Sequence, residues 1–148
     1  MLNRIKIMLV IAAGLVLLAC GQQESDTFNL ELSKQKWNRP GVTWTEAELQ
    51  LLEKGEKLYR TNCSVCHARD GKGDLQLGAP SLYKSPTVNG PKSDLIMRIL
   101  QGKRGTAMPA FAAALSDQQV AAIATYIQNA WGIYTPDIVT AAEVERLR

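Results

Sequence analysis

Cys63-Ser64-Val65-Cys66-His67 is the stretch that decides how the rest of the chain is read. Two thiols separated by two residues, with a histidine directly after the second, form the attachment pattern of c-type haem. The layout follows from the chemistry. Each cysteine adds across one vinyl group of the porphyrin to make a thioether, and side chains three positions apart leave a helical turn on a similar heading. His67 follows at once and offers a ring nitrogen to the iron, a recurring proximal ligand. Two other readings of the pair are weaker. A thioredoxin-like dithiol belongs in a βαβ setting, and no such pattern is present. A structural zinc takes four Cys or His ligands. His67 is the only histidine and Cys20 the only other cysteine, so the fourth ligand would have to be a carboxylate.

The 148 residues suit one domain, and 46% apolar residues can supply a core. Residues 1–19 read as an export signal. Arg4 and Lys6 make a positive start, and Ile7 to Ala19 is an apolar run broken only by Gly14. That run is shorter than the ~20 residues a membrane span needs. It ends in Leu17-Leu18-Ala19-Cys20-Gly21, which resembles the bacterial lipoprotein box, and the resemblance implies Cys20 as the lipidated first residue of the mature chain. An ordinary secretory signal with an incidental cysteine, or an uncleaved anchor, fits the same residues. Of three cysteines, two are taken by the haem pattern, so Cys20 is the one left over. Without residues 1–19 the chain has 15 basic residues against 14 acidic, a balance that gives nucleic-acid binding no support.

Residues 20–44 read as a tether: Gly21 to Arg39 is polar and irregular, with Phe28, Leu30, Leu32 and Trp37 as exceptions able to pack back, and Arg39-Pro40-Gly41 closes it with a turn. The domain proper is expected over 45–132. Thr45 and Glu48 form a capping box, and Leu51, Leu52, Gly55, Leu58 and Tyr59 fall at helical spacing, giving a helix to about Arg60 that runs into Cys63. Gly55 costs ~1 kcal/mol against Ala in mid-helix, and close approach of another helix is the usual reason for it. Ala68 to Pro91 reads as loop and turns. Ser93 is expected to cap a second helix carrying Leu95, Ile96, Ile99 and Leu100, ended by Gly102. Ser116 and Gln119 box the start of a third, with Val120, Ile123, Ala124, Ile127 and Trp131 as its stripe and Gly132 as its C-cap. The tail, 133–148, has room for a short helix after Thr135-Pro136 or Thr140. The fold class is all-α: three main helices and long loops.

With no second histidine, two histidine ligands within this chain are excluded, and Met is the next usual ligand. Met97 and Met108 are the two after residue 19. Met97 lies within a helix, where packing is the default, whereas Met108 lies in a loop between Gly105 and Pro109 and can reach into a pocket. Met108 is therefore the expected ligand opposite His67.

At this point the chain resembles the class I monohaem c-type cytochromes over about Thr45 to Gly132. Gly55, Tyr59 and Cys63 reproduce the family's spacing of a small residue, an aromatic and the first haem cysteine, and Tyr126 matches the aromatic of the last helix. Gly78, Pro80 and Leu82 resemble the family's loop in which a proline carbonyl accepts the N–H of the haem histidine, which gives Pro80 that role toward His67. Met108-Pro109-Ala110-Phe111 resembles the methionine loop. The resemblance implies a cytochrome c fold around one covalent haem c, with Cys63 and Cys66 as thioethers and His67 and Met108 on the iron. It also implies a periplasmic or extracytoplasmic electron carrier, lipid-anchored at a bacterial membrane, that exchanges electrons with redox protein donors and acceptors and has no catalysis or small-molecule substrate of its own. A cytochrome subunit of a dehydrogenase or oxidase complex is the alternative, and a haem-based gas or redox sensor a further one. Between Arg69 and Arg104 there are seven basic residues against three acidic ones, which makes an acidic partner surface an expectation.

Overall fold

A glycine in the middle of a helix sets the architecture. The helix α2 (Glu46–Asn62) crosses α6 (Asp117–Ile127) at Gly55. A Cβ on Gly55 would overlap the backbone carbonyl of Ala122 and stand 2.7 Å from the Tyr126 Cβ. Leu49, Leu52 and Tyr59 of α2, and Val120, Ile123, Ala124 and Ile127 of α6, are buried across this contact. Both helices start on the capping boxes read from sequence, with Thr45 Oγ1 accepting from the Glu48 N–H and Ser116 Oγ from the Gln119 N–H. The computed structural model describes residues 28–83 and 85–148. The signal segment, Cys20 and the first part of the expected tether lie outside the described residues.

Around this pair stand α1 (Leu30–Trp37), α3 (Ser64–His67), α4 (Pro86–Asn89), α5 (Lys92–Gln101) and α7 (Ala141–Glu145). Among the described residues there is no strand, only isolated bridges at Arg39–Val42 and Asp74–Ala79, and no helix is long and apolar enough to cross a membrane. The all-α reading therefore holds, with differences at the edges. Residues 30–37 are helical where an irregular tether is expected. Asn29 caps them through its side chain, which accepts from the Leu32 N–H at 3.0 Å, and Trp37 is buried in the core. The periodicity is too short and polar to announce itself; one indole fixes it.

The other corrections are similar in kind. α5 starts from Pro91 as its N-cap, so Ser93 falls in the first turn, and its hydroxyl donates to Asp94 instead of capping. α6 stops at Ile127 instead of running to Trp131; Gln128 caps it, and Thr135 N donates back to the Gln128 carbonyl at 3.2 Å. Trp131 then takes φ 55° and Gly132 φ 85°. The end of the chain is helical at α7, boxed by Thr140 and Glu143, and packs on α6 through buried Val139 and Val144. Lys92 secures that segment by donating to the Ile138 carbonyl at 2.6 Å beside Asp137.

Glu53 on α2 is the clasp for α1. Its carboxylate accepts from Ser33 Oγ, Trp37 Nε1 and Lys36 Nζ, each at 2.9 Å. Burial alone raises this carboxyl, but the bonds from Lys36, Trp37 and Ser33 outweigh it and hold Glu53 below its ordinary value. A depressed folded pKa gives stability that is complete above the unfolded carboxyl value and is lost as pH falls through the folded one. The Lys36 contact is partly exposed and screened by solvent, whereas the Trp37 indole that donates to Glu53 is buried. Glu53→Ala should cost about 1–3 kcal/mol by leaving the buried Trp37 N–H unpaired. In a thermal unfolding series the variant should lose part of the acid sensitivity of the parent below the ordinary Glu range; an identical acid profile would remove Glu53 from this role.

Candidate haem-binding site

The end of α2 delivers the two cysteines. Cys63 caps the helix, with its N–H donating to the Tyr59 carbonyl at 2.8 Å, and its own carbonyl accepts from Cys66 N at 3.2 Å and His67 N at 2.9 Å. Cys63, Cys66 and His67 thus share one helical turn, α3. The turn is stopped by Ala68 at φ 58°, ψ 163°, a region that side chains rarely enter. Tyr59 holds it there: the phenol donates to the Ala68 carbonyl at 2.7 Å. Burial pushes the Tyr59 phenol above its ordinary value, so it remains a donor. Nothing in the sequence marks Ala68, because the constraint comes from a tyrosine nine positions earlier.

The chain then loops back under the histidine. Gly73 N donates to the His67 carbonyl at 3.0 Å, and the Pro80 carbonyl lies 3.1 Å from His67 Nδ1. A carbonyl only accepts, so the imidazole proton sits on Nδ1 and the lone pair of Nε2 is left free. Trp131 closes this segment from the other end of the chain. It stacks edge-on against Tyr59 at 5.2 Å and Tyr126 at 5.6 Å and donates through Nε1 to the Arg69 carbonyl at 3.1 Å. The helical stripe read from sequence gives Trp131 to the α6 face; its positive φ gives it to the loop instead.

Met108 arrives by a different construction. The last carbonyls of a helix lack intrahelical partners. Here those of Ile99 and Leu100 in α5 accept from Phe111 N and Ala112 N, both at 3.1 Å, and Lys103 N donates to the Met108 carbonyl at 3.2 Å. Gly102 permits the approach, at φ 66° and with a Cβ position only 2.6 Å from the Met108 and Pro109 carbonyl oxygens.

These pieces enclose one cavity of about 260 Å³. Cys63, Cys66, His67 and Met108 all line it, with Leu82, Leu95 and Phe111 among its apolar walls. Met97 is not in the lining, and its sulfur is 3.9 Å from Gln101 Nε2. Burial, and then the neighbouring Cys66, push the Cys63 thiol up to about 12. A redox dithiol needs the opposite shift, so the thioredoxin-like reading is not supported. An apolar slot with two thiols, one free imidazole nitrogen and a thioether on its lining is a donor set that fits a thioether-bound haem. Among the described residues no group of three or more His, Cys, Asp or Glu could hold a bare metal ion.

The described basic residues between Arg69 and Arg104 have different surroundings. Lys92 is on the C-terminal segment with Asp137 and Glu143, Lys72 pairs with Asp70 at 2.9 Å, and Lys84 lies outside the described residues. Arg98 and Lys103 line the cavity. Both belong to the seven basic residues counted between Arg69 and Arg104; spacing alone does not separate these two from ordinary solvated charge.

A family model described as cytochrome c oxidase, cbb3-type, subunit III matches residues 50–127. Among curated proteins the chain is 30% identical over 92 residues to the cbb3-type cytochrome c oxidase subunit FixP of Rhizobium etli, covering 62% of this chain and 32% of that protein. It is 31% identical over 103 residues to the cytochrome c subunit of the quinone alcohol dehydrogenase of Gluconacetobacter polyoxogenes, covering 64% and 22%. The chain thus spans a third or less of the length of these relatives. The crystal structure of cytochrome CL from Methylophaga aminisulfidivorans is similar at a TM-score of 0.47 and 23% identity, over 74% of this chain and 70% of that one.

Gly102→Ala tests the loop that carries Met108. An alanine at positive φ, pressed against two backbone carbonyls, should cost more than the ~1 kcal/mol of a compatible backbone change and up to about 3 kcal/mol. Amide exchange should rise at Lys103, Phe111 and Ala112, whose N–H bonds hold the loop, and stay slow in α2 and α6. Uniform loss of protection would instead mean that the loop and the core unfold together.

Proposed function

The chain belongs to the family of cbb3-type cytochrome c oxidase subunit III domains, class I c-type cytochromes, and from that premise we propose that it is an electron carrier with one covalent haem c, tethered by a lipid at Cys20 to the outer face of a bacterial membrane. The reading rests on one observation: Cys63, Cys66, His67 and Met108 line a single cavity. The sequence has one Cys-x-x-Cys-His pattern, which supports a single haem. When bound, that group supplies one-electron redox chemistry. The protein's part is to hold it. Cys63 and Cys66 Sγ are the thioether positions, and His67 Nε2 is the nitrogen offered to the iron. The Pro80 carbonyl, 3.1 Å from Nδ1, would fix the orientation of the His67 ring. The Met108 thioether would be the second ligand, offered from the loop side of the same cavity. Thioether ligation favours the ferrous form and raises the potential. Leu82, Leu95 and Phe111 give the slot apolar walls against which a porphyrin would pack.

A second reading is favoured by the relatives, which are named as subunits of an oxidase and of a dehydrogenase. In it the same domain serves as the cytochrome component of such a complex, with catalysis on another chain. Purification from native membranes under mild detergent separates the two by whether a large partner stays bound.

Met108→Ala is the test of the ligand set. Haem content should be unchanged, since attachment needs Cys63, Cys66 and the folded pocket. The potential should fall, the weak far-red absorption of a sulfur–iron bond should vanish, and the ferrous form should bind carbon monoxide. Met97→Leu is the control and should alter none of these; the reverse pattern would give the ligand role to Met97.

Cys20→Ser tests the anchor. It should convert a membrane-partitioning protein into a soluble, haem-loaded one, because a single acyl chain is marginal and firm anchoring takes more than one. A mature protein that starts at another residue, or that carries no lipid by mass spectrometry, rejects it.

A further inference from the structure

Arg148 lies outside the stretch that the family model matches, yet its guanidinium reaches the segment that joins the Met108 loop to α6. Nη1 donates to the Ala112 carbonyl, Nη2 to the Leu115 carbonyl at 2.9 Å and Nε to Asp117 Oδ1 at 2.7 Å. A cation beside the first turn of a helix works against the macrodipole. The field of α6 therefore does not draw Arg148 there; Asp117 and the two carbonyls do. A planar guanidinium can serve all three because it presents several N–H groups in fixed directions.

Ala112 is the node of this contact. Its N–H donates to the Leu100 carbonyl of α5 at 3.1 Å while its own carbonyl accepts from Arg148, so the peptide groups on both sides of it are held. The next link toward the site is Phe111. Its N–H donates to the Ile99 carbonyl at 3.1 Å, and its carbonyl accepts from Leu115 N at 3.0 Å. Phe111 lines the cavity and stands three positions after Met108, with Pro109 between them. Arg148 is itself well seated. Leu147 N donates to the Val144 carbonyl at 3.0 Å and Arg148 N to the Glu145 carbonyl at 3.3 Å, which prolongs the turn of α7. Val144 is buried and Leu147 packs against the core. The same segment is tied to the first residue of α5, because Lys92 donates to the Ile138 carbonyl. One C-terminal segment thus grips α5 at its start and the chain just past the methionine loop.

We infer that Arg148 is a positioning residue for Met108: its fork fixes Ala112, the base from which the methionine loop is hung, and so keeps the thioether at the cavity. The inference rests on the reading of Met108 as the second ligand. It differs from plain docking of α7 in what it predicts. A side chain that only attached α7 to the core would change the stability of the whole domain. A positioning side chain changes the local opening of the loop, which lies at the low end of the domain's stability.

Urea titration of the full-length, haem-loaded protein, followed both by the far-red absorption and by the helical circular dichroism, tests this. In Arg148→Ala the far-red band should disappear at a lower urea concentration than in the parent, while the midpoint of the helical signal moves less. Amide exchange at Phe111 and Ala112 should rise about tenfold, with α2 as slow as before. Arg148→Lys keeps a charge for Asp117 but has no fork, and it should behave like Arg148→Ala. Glu53→Ala, which acts on α1 and touches neither the loop nor α7, is the control and should lower both midpoints together. If the two midpoints of Arg148→Ala fall together, or exchange at Phe111 and Ala112 stays that of the parent, Arg148 is no more than an attachment of α7, and the inference is overturned with the ligand reading intact. Full rescue by Arg148→Lys also overturns it, in favour of charge alone. A parent without the far-red band, or a band that survives Met108→Ala, defeats the ligand reading itself and the inference with it.

Discussion

The crossing of α2 and α6 at Gly55 is the constraint on which the rest depends. Removing a side chain there lets two helix backbones touch, and the space above the contact is filled by aromatics. Tyr59 and Tyr126 meet at 5.3 Å, and Trp37 and Trp131 close on Tyr126 at 5.8 and 5.6 Å. One of these rings then reaches the site: Tyr59 both supplies the carbonyl that caps Cys63 and donates to Ala68 past His67. The position of the cysteine turn is therefore set by core packing. Large buried aromatics bring both area and geometry to such a contact.

The two walls of the cavity are built on different principles. His67 comes from a helical turn continuous with α2, and its ring is fixed by Pro80. Met108 comes from a loop whose bonds end on carbonyls that α5 would otherwise leave unpaired. The first wall inherits the rigidity of the core, while the second has only a few backbone bonds and a glycine to hold it. Under partial unfolding the loop should be the part that opens first, since low local stability follows from few buried contacts. A cavity with a strong and a weak wall loosens at Met108 before it loosens at His67.

The peripheral helices explain how a domain with so many loops has a closed core. α1 covers α2 through Trp37, and α7 covers α6 through Val139 and Val144, each held by a polar group on the other side: Glu53 for α1, and Lys92 with Thr125 for the C-terminal segment. These clasps join residues between 14 and 46 positions apart. They enlarge the core beyond the stretch that the family model matches.

What the sequence determined by itself was what local chemistry can encode. The haem pattern needs only five adjacent residues. The capping boxes at Thr45 and Ser116 are read within four residues each, and the glycine at 55 is conspicuous because a helix tolerates it poorly. The tertiary structure alone decided where the weak elements fold and how the ends of strong ones turn. Residues 30–37 are helical because Trp37 finds a pocket and Glu53, not because of their own period. α6 ends early because Trp131 gains more by stacking on Tyr59 and bonding to Arg69, 62 positions away, than by one more helical turn. Ala68 is forced to positive φ by Tyr59, and Lys92 is drawn to the C-terminal segment by Asp137 and Glu143. Short-range signals carry capping and periodicity. Long-range contacts decide the remainder, because their energy depends on what the fold brings opposite each residue.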